Sequence, residues 1–89
     1  MPTLELLSRD GCGLCEEMAR ALEALRFRFP LPPVVVVDID TDPALQRRFI
    51  LEIPVLRLDG HVVCHGHLDE ARLRGALGAT RAAREAGSP

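Results

Sequence analysis

A strand, a helix and a second strand follow one another at the start of the chain, and this succession limits the fold more than any other feature. The segment from Thr3 to Ser8 is short, apolar and followed by an Asp-Gly turn signal, which predicts a strand. Four apolar residues then recur at helical spacing: Leu14, Met18, Leu22 and Leu25. The β-branched run from Val34 to Ile39 predicts a second strand, buried on both faces. Together these elements predict a βαβ unit with parallel strands.

The rest of the chain predicts a helix, a hairpin and a final helix. Asp42 and Pro43 offer an N-cap carboxylate and a proline at the first helical position. Asp59-Gly60, a dipeptide favoured in tight hairpins, joins two short strands. The last helix is predicted from Leu68 to Leu77, so the element order is β-α-β-α-β-β-α.

The composition allows one domain and disfavours several kinds of partner. The 89 residues are 47% apolar, which is enough for a single small core. The net charge of -2 is not concentrated in any block, so we expect no nucleic-acid binding. No apolar run reaches the ~18 residues that span a bilayer, and the start of the chain has no basic segment or cleavage site. We therefore expect a cytoplasmic monomer without a membrane partner. We also expect a domain over residues 1–79, with Gly78 ending its last helix, and a helical extension or frayed tail over residues 80–89.

The chain has three cysteines, Cys12, Cys15 and Cys64, and the cytoplasm expected for it is a reducing compartment. Such a compartment argues against a structural disulfide framework and leaves catalysis or metal binding. The spacing of Cys12 and Cys15 puts both on one face of the first helix, with Cα atoms about 5 to 6 Å apart, which is disulfide range. Cys12 would lie at the helix N-terminus, where free N–H groups favour thiolate, and Cys15 would be shielded one turn inside. This arrangement distinguishes an attacking from a resolving thiol.

The same spacing also fits half a metal site or two structural thiols. The position at a strand-to-helix turn inside a βαβ unit favours a redox pair over both. Near Cys64, strand alternation predicts that His61, Val63 and His65 share one face while Val62 and Cys64 share the other. We therefore expect Cys64 to be a buried bystander and no metal to be bound.

The C-x-x-C after the first strand, the Ile-Pro-Val at the third strand and the segment HGHLDEA before the last helix resemble the glutaredoxins and small glutaredoxin-like proteins of bacteria. The resemblance covers Thr3 to about Leu77. It implies an α/β thioredoxin fold, with a four-stranded mixed sheet flanked by three helices. It also implies a thiol-disulfide oxidoreductase in which Cys12 is the nucleophile and Cys15 the resolving thiol.

The resemblance further implies a binding surface for the substrate. Pro54 would be cis and face the cysteine pair, leaving the backbone groups of Ile53 free to bind an extended thiol substrate. Arg9 stands where a basic residue of glutaredoxins meets the glycine carboxylate of glutathione. Asp69 and the helix N-terminus at Leu68 would hold the γ-glutamyl end. Glutathione is thereby expected as a co-substrate, with no bound cofactor.

His67 lies at the start of the last helix, near the expected substrate position, and is a further candidate contact.

The predicted function is reduction of protein disulfides or glutathione mixed disulfides, with glutathione or a reductase completing the cycle.

Gly13-Leu14 replaces the usual Pro-Tyr of glutaredoxins, and His65 replaces the first glycine of their Gly-Gly pair. Gly13 also fits glutaredoxins that hold an iron-sulfur cluster between two subunits, with the first cysteine and glutathione as ligands. A third interpretation is a non-catalytic interaction module, in which Cys12 keeps a pKa near ~8.5.

Overall fold

A four-stranded mixed sheet forms the centre of the computed structural model, which describes residues Pro2 to Ala86. Its strands are β1 (Leu4–Ser8), β2 (Val34–Asp38), β3 (Val55–Leu58) and β4 (His61–His65), in the spatial order β2-β1-β3-β4. The β1–β2 pair is parallel, and the β1–β3 and β3–β4 pairs are antiparallel. The predicted mixed sheet and element order are therefore confirmed.

Three α-helices flank the sheet within these residues: α1 (Gly13–Arg26), α2 (Pro43–Phe49) and α3 (Glu70–Ala86). A 3-10 turn over Ile39–Thr41 connects β2 to α2. The Asp42 carboxylate accepts the N–H groups of Ala44 and Leu45, which confirms the predicted cap of α2. Across Pro2–Ala86, no helix is long and apolar enough to cross a membrane.

The sheet buries apolar side chains on both faces. Successive residues of β1 point to opposite faces, so that Leu6 joins one core and Leu7 the other. The first core lies under α1 and α3 and contains Leu4, Leu6, Met18, Leu22, Leu25, Leu56, Leu58, Val63, Cys64 and Leu73. The second core lies under α2 and contains Leu7, Ile39, Phe49 and Val55. β1 and β3, the two inner strands, thus contribute to both cores.

β2 lies at the edge of the sheet, and the prediction that it is buried on both faces is wrong. Val35 and Val36 are 50% and 63% exposed. A continuous apolar run is typical of a central strand, but the centre is taken by β1 although it contains Glu5. The Glu5 carboxylate is accommodated because it pairs with Arg57 of β3 at 3.0 Å.

The β3–β4 hairpin contains the predicted Asp59-Gly60 turn and an unpredicted bulge. Both turn residues have positive φ, 50° and 84°, as a two-residue hairpin turn requires. A register shift opposite Leu56 and Arg57 places an extra residue in β4. Val63 and Cys64 therefore both enter the first core, and the strict alternation expected around Cys64 is wrong.

α3 begins later and ends later than predicted. Its first residue is Glu70, and the Asp69 carboxylate accepts the Arg72 N–H at 3.0 Å as a cap. The helix continues through Gly78 to Ala86, so the stop predicted at Gly78 is wrong. The residues that follow Gly78 are rich in Ala, Arg and Glu, strong helix formers that offset a single glycine. The division at residue 79 stays a prediction, and residues 87–89 of the expected tail lie outside the described residues.

Burial sets the acidity of Cys64. The thiol is free and lies in the first core. Burial raises the pKa of the Cys64 thiol above its ordinary value of 9.0, although a hydrogen bond with the Asp69 backbone acts in the opposite direction. Cys64 is therefore protonated at neutral pH.

Leu56→Ala should lower the free energy of unfolding by about 2 to 5 kcal/mol, because Leu56 is fully buried and the shorter side chain leaves a cavity. Leu51→Ala is the matched control: Leu51 is 96% exposed, so its loss should change stability by no more than about 0.5 kcal/mol. Urea denaturation followed by circular dichroism measures both. Equal losses in the two variants would contradict the described core.

The stability of the disulfide form should fall as the pH rises above about 9, because the unfolded chain ionises Cys64 before the folded chain does. The contribution is complete below the unfolded pKa and is lost as the pH rises through the folded pKa. The chain has no Tyr and all 11 bases are Arg, so Cys64 is the one side chain that titrates in this range while the disulfide is intact. Urea denaturation at a series of pH values should show a flatter profile for Cys64→Ala, and identical slopes would refute the assignment.

Candidate active site

Cys12 and Cys15 are joined by a disulfide at the start of α1, with their Cα atoms 5.2 Å apart. Cys12 is the N-cap residue and has an extended backbone, while the helix begins at Gly13. The Cys12 sulfur accepts the Cys15 N–H at 3.1 Å, and the Cys12 carbonyl accepts the Glu16 N–H at 3.1 Å. The sulfur thus takes the place of the side-chain oxygen that usually caps a helix.

The two cysteines differ in their access to solvent. Cys12 is half-buried, whereas Cys15 is 2% exposed and lies beneath it. The free N–H groups and the dipole of α1 favour negative charge at Cys12 over negative charge one turn inside the helix. This unequal environment is what an attacking thiol and a resolving thiol require.

The Ile53–Pro54 peptide bond is cis, as the resemblance implied. Pro54 precedes Val55, which pairs with Leu7, so Pro54 lies beside the end of β1. The Cys12 loop, residues 9–12, departs from this end of β1. The Pro54 carbonyl accepts the Gly66 N–H at 2.8 Å and ties the β4–α3 loop to the same edge of the sheet. Three loops therefore meet around the cysteine pair.

The backbone of Ile53 is less available for hydrogen bonding than the resemblance implied. Its N–H is donated to the Phe49 carbonyl at 3.1 Å, so the expectation that both backbone groups are free is wrong. The Ile53 carbonyl accepts no backbone N–H among the described residues. α2 ends at Phe49 and the chain then turns back into β3. The Ile53 N–H is bonded within this turn.

Arg9 lies in the Cys12 loop and is paired with a carboxylate. Its Nη2 is 3.3 Å from Oδ2 of Asp40, and the two side chains are 37% and 36% exposed. The other Asp40 oxygen accepts the Gln46 Nε2 at 2.9 Å. Sequence reasoning missed Asp40, although its position just after β2 was a usable signal, because parallel strands end at the same edge of a sheet.

The residues predicted at the start of α3 line two cavities that have His67 and Leu68 in common. A groove of about 540 Å³ separates α1 from the β4–α3 loop. It is lined by Leu14, Glu17, Met18, Arg20, Ala21, Gly66, His67 and Leu68. His67 and Leu68 are therefore brought beside the start of α1. Asp69 lines a second cavity, which His67 and Leu68 also line, and its carboxylate caps α3.

The histidines and Cys64 do not form a ligand cluster. Among residues 2 to 86, no group of three His, Cys, Asp or Glu side chains is arranged to hold a metal ion. His61 and His65 are exposed at the two ends of β4, while Cys64 is buried.

The chain is similar over most of its length to proteins of one family. The model of the glutaredoxin-like domain (DUF836) matches residues 3–78. Protein Rv0508 of Mycobacterium tuberculosis is 33% identical over 78 residues, which cover 82% of this chain and 79% of that protein. Protein Mb0520 of Mycobacterium bovis is similar to the same extent.

Solved structures share the fold. The solution structure of protein Ne2328 from Nitrosomonas europaea has a TM-score of 0.75 and 30% identity, and covers 84% of this chain and 89% of that one. The X-ray structure of protein XcR50 from X. campestris has a TM-score of 0.68 and 36% identity, with 85% and 96% covered. A mutant thioredoxin from Halobacterium salinarum has a TM-score of 0.59 and 26% identity, with 88% and 73% covered. The chain therefore has the thioredoxin fold and belongs to the glutaredoxin-like domain family.

Proposed function

We propose that the protein is a thiol-disulfide oxidoreductase that reduces protein disulfides or glutathione mixed disulfides through Cys12 and Cys15. The observation that carries the proposal is the unequal access of two bonded sulfurs at a helix N-terminus, with Cys12 reachable and Cys15 2% exposed. Membership of a glutaredoxin-like family supports the same class of chemistry.

In the reduced protein, the Cys12 thiolate attacks one sulfur of the substrate disulfide. A bond forms between Cys12 and that sulfur while the substrate S–S bond breaks, and the departing thiolate takes a proton from water. The Cys15 thiol loses its proton as it attacks Cys12, and the second substrate thiolate leaves. Two electrons pass from the cysteine pair to the substrate, and the pair becomes a disulfide.

A thiol reductant must return the two electrons, and glutathione or a dithiol reductase is the class that can do so. A cytoplasmic location suits this cycle, because a reducing compartment regenerates the dithiol.

The backbone supplies the main stabilisation of the Cys12 thiolate. The Cys15 N–H lies 3.1 Å from the Cys12 sulfur, and further free N–H groups of the first helical turn lie nearby. Hydrogen bonds of this kind to a charged acceptor are stronger than those between neutral groups. An extended substrate would lie against Pro54 and bond to the Ile53 carbonyl.

Cys12→Ser should abolish turnover of both a protein disulfide and a glutathione mixed disulfide, because the attacking sulfur is gone. Cys15→Ser should keep turnover of the mixed disulfide, because external glutathione can then resolve Cys12. It should lose turnover of the protein disulfide, because Cys15 carries out the second step of that reaction. Coupled reductant consumption measures each rate. Cys64→Ala is the matched control and should retain turnover, because Cys64 is buried in the first core.

A fully active Cys12→Ser protein would refute the proposal. A stable visible absorption band after anaerobic iron-sulfur reconstitution, combined with little exchange activity, would favour cluster binding instead.

Asp69→Asn should raise the KM for a glutathione mixed disulfide if the Asp69 charge meets the γ-glutamyl amino group. The substitution should leave stability nearly unchanged, because Asn caps a helix about as well as Asp. Asp69→Ala is the comparison and should also lower the free energy of unfolding by about 0.5 to 2 kcal/mol, since the bond to the Arg72 N–H is lost. An unchanged KM in Asp69→Asn would exclude this contact and leave Asp69 only its capping role.

A further inference from the structure

Arg9 and Asp40 emerge side by side next to the reacting cysteines. β1 and β2 are parallel, with Ser8 opposite Asp38, so the residues that follow both strands lie at one edge of the sheet. The Cys12 loop departs from this edge. Substrates of open α/β sheets bind outside the carboxyl ends of the strands.

The Arg9 guanidinium is the cation that a substrate carboxylate would meet here. Arg9 is 37% exposed, so it is open to solvent on one side. Guanidinium groups bind carboxylates through paired, charge-assisted hydrogen bonds. Asp40 already takes up part of this capacity, because its Oδ2 is 3.3 Å from Nη2 of Arg9.

Asp40 is itself held in place from two sides. Its Oδ1 accepts the Gln46 Nε2 at 2.9 Å, which links it to α2. Its backbone N–H is donated to the Asp38 carboxylate at 2.9 Å, which fixes the 3-10 turn. A substrate carboxylate must therefore share the guanidinium with a fixed anion that does not swing away.

We propose that Asp40 is a specificity-determining residue that acts through Arg9, lowering the affinity for thiol partners with a carboxylate near the sulfur. The enzyme then favours internal protein disulfides over glutathione-type mixed disulfides. This inference rests on the proposed function.

The test uses two substrates that differ in one charge. The first is a peptide–glutathione mixed disulfide, and the second is the same compound with the glycine carboxylate converted to its ethyl ester. Asp40→Asn should lower the KM for the first roughly two- to fivefold, the range expected for an exposed ion pair, and leave kcat unchanged. The KM for the ester should not change, and the gain should shrink at high ionic strength.

Asp10→Asn is the matched control. Asp10 is exposed, adjoins Arg9 in sequence and makes no ion pair among the described residues, so its loss removes the same charge from the same neighbourhood. It should leave the ratio of the two KM values as in the parent. In a protein that already carries Arg9→Gln, Asp40→Asn should no longer change the KM for the acid substrate.

Three outcomes would overturn the inference: an unchanged KM in Asp40→Asn, an equal change for acid and ester, or an equal effect of Asp10→Asn. If Asp40→Asn fails to fold, Gln46→Ala replaces it, because it frees Asp40 without removing it and should shift the KM for the acid in the same direction by less. Failure of the proposed function looks different, since the parent would then turn over neither substrate, which would refute both.

Discussion

The double pairing of β1 holds the candidate site together. β1 is bonded to β2 on one side and to β3 on the other, and its leucines enter the cores on both faces. Because neighbouring strands hold β1 at both edges and a core packs against each face, the end of β1 has a fixed position, and the Cys12 loop starts there. Met18, Leu22 and Leu25 then bind α1 to the first core, so the helix must begin close to Cys12. The capping position of Cys12 is therefore a result of core packing as much as of local sequence.

The partner side of the site depends on β3 in the same way. The pairing of Leu7 with Val55 brings Pro54 to the end of β1, although more than forty residues separate the two strands in the chain. The bond from the Gly66 N–H to the Pro54 carbonyl then draws in the β4–α3 loop with His67 and Leu68. No local segment could build this site, because each of its three loops adjoins a different strand. A loss of sheet register would separate the loops together rather than singly.

The features that could be predicted from the sequence are those that depend on residues close together in the chain. The Asp42-Pro43 start of α2, the Asp59-Gly60 turn and the one-turn spacing of Cys12 and Cys15 each depend on a few neighbouring residues. The edge position of β2 depends on strand order, which its valines do not encode. The bulge at Val63 depends on register, and the Arg9–Asp40 pair depends on two strands ending together. The cis bond before Pro54 followed from resemblance alone, since X-Pro bonds in folded proteins are mostly trans.

In the proposed reaction, the exchange chemistry and the choice of partner would rest on different kinds of group. A negative charge at Cys12 would be met by backbone N–H groups, which no side-chain substitution removes while α1 stays folded. Arg9, the side-chain cation of the Cys12 loop, is instead paired with Asp40 at 3.3 Å. Gly13 bears on the same environment: proline has no N–H group, so Gly13 in place of the proline of glutaredoxins adds a backbone donor to the first turn of α1, and Gly13-Leu14 in place of Pro-Tyr also changes the surface beside the sulfur.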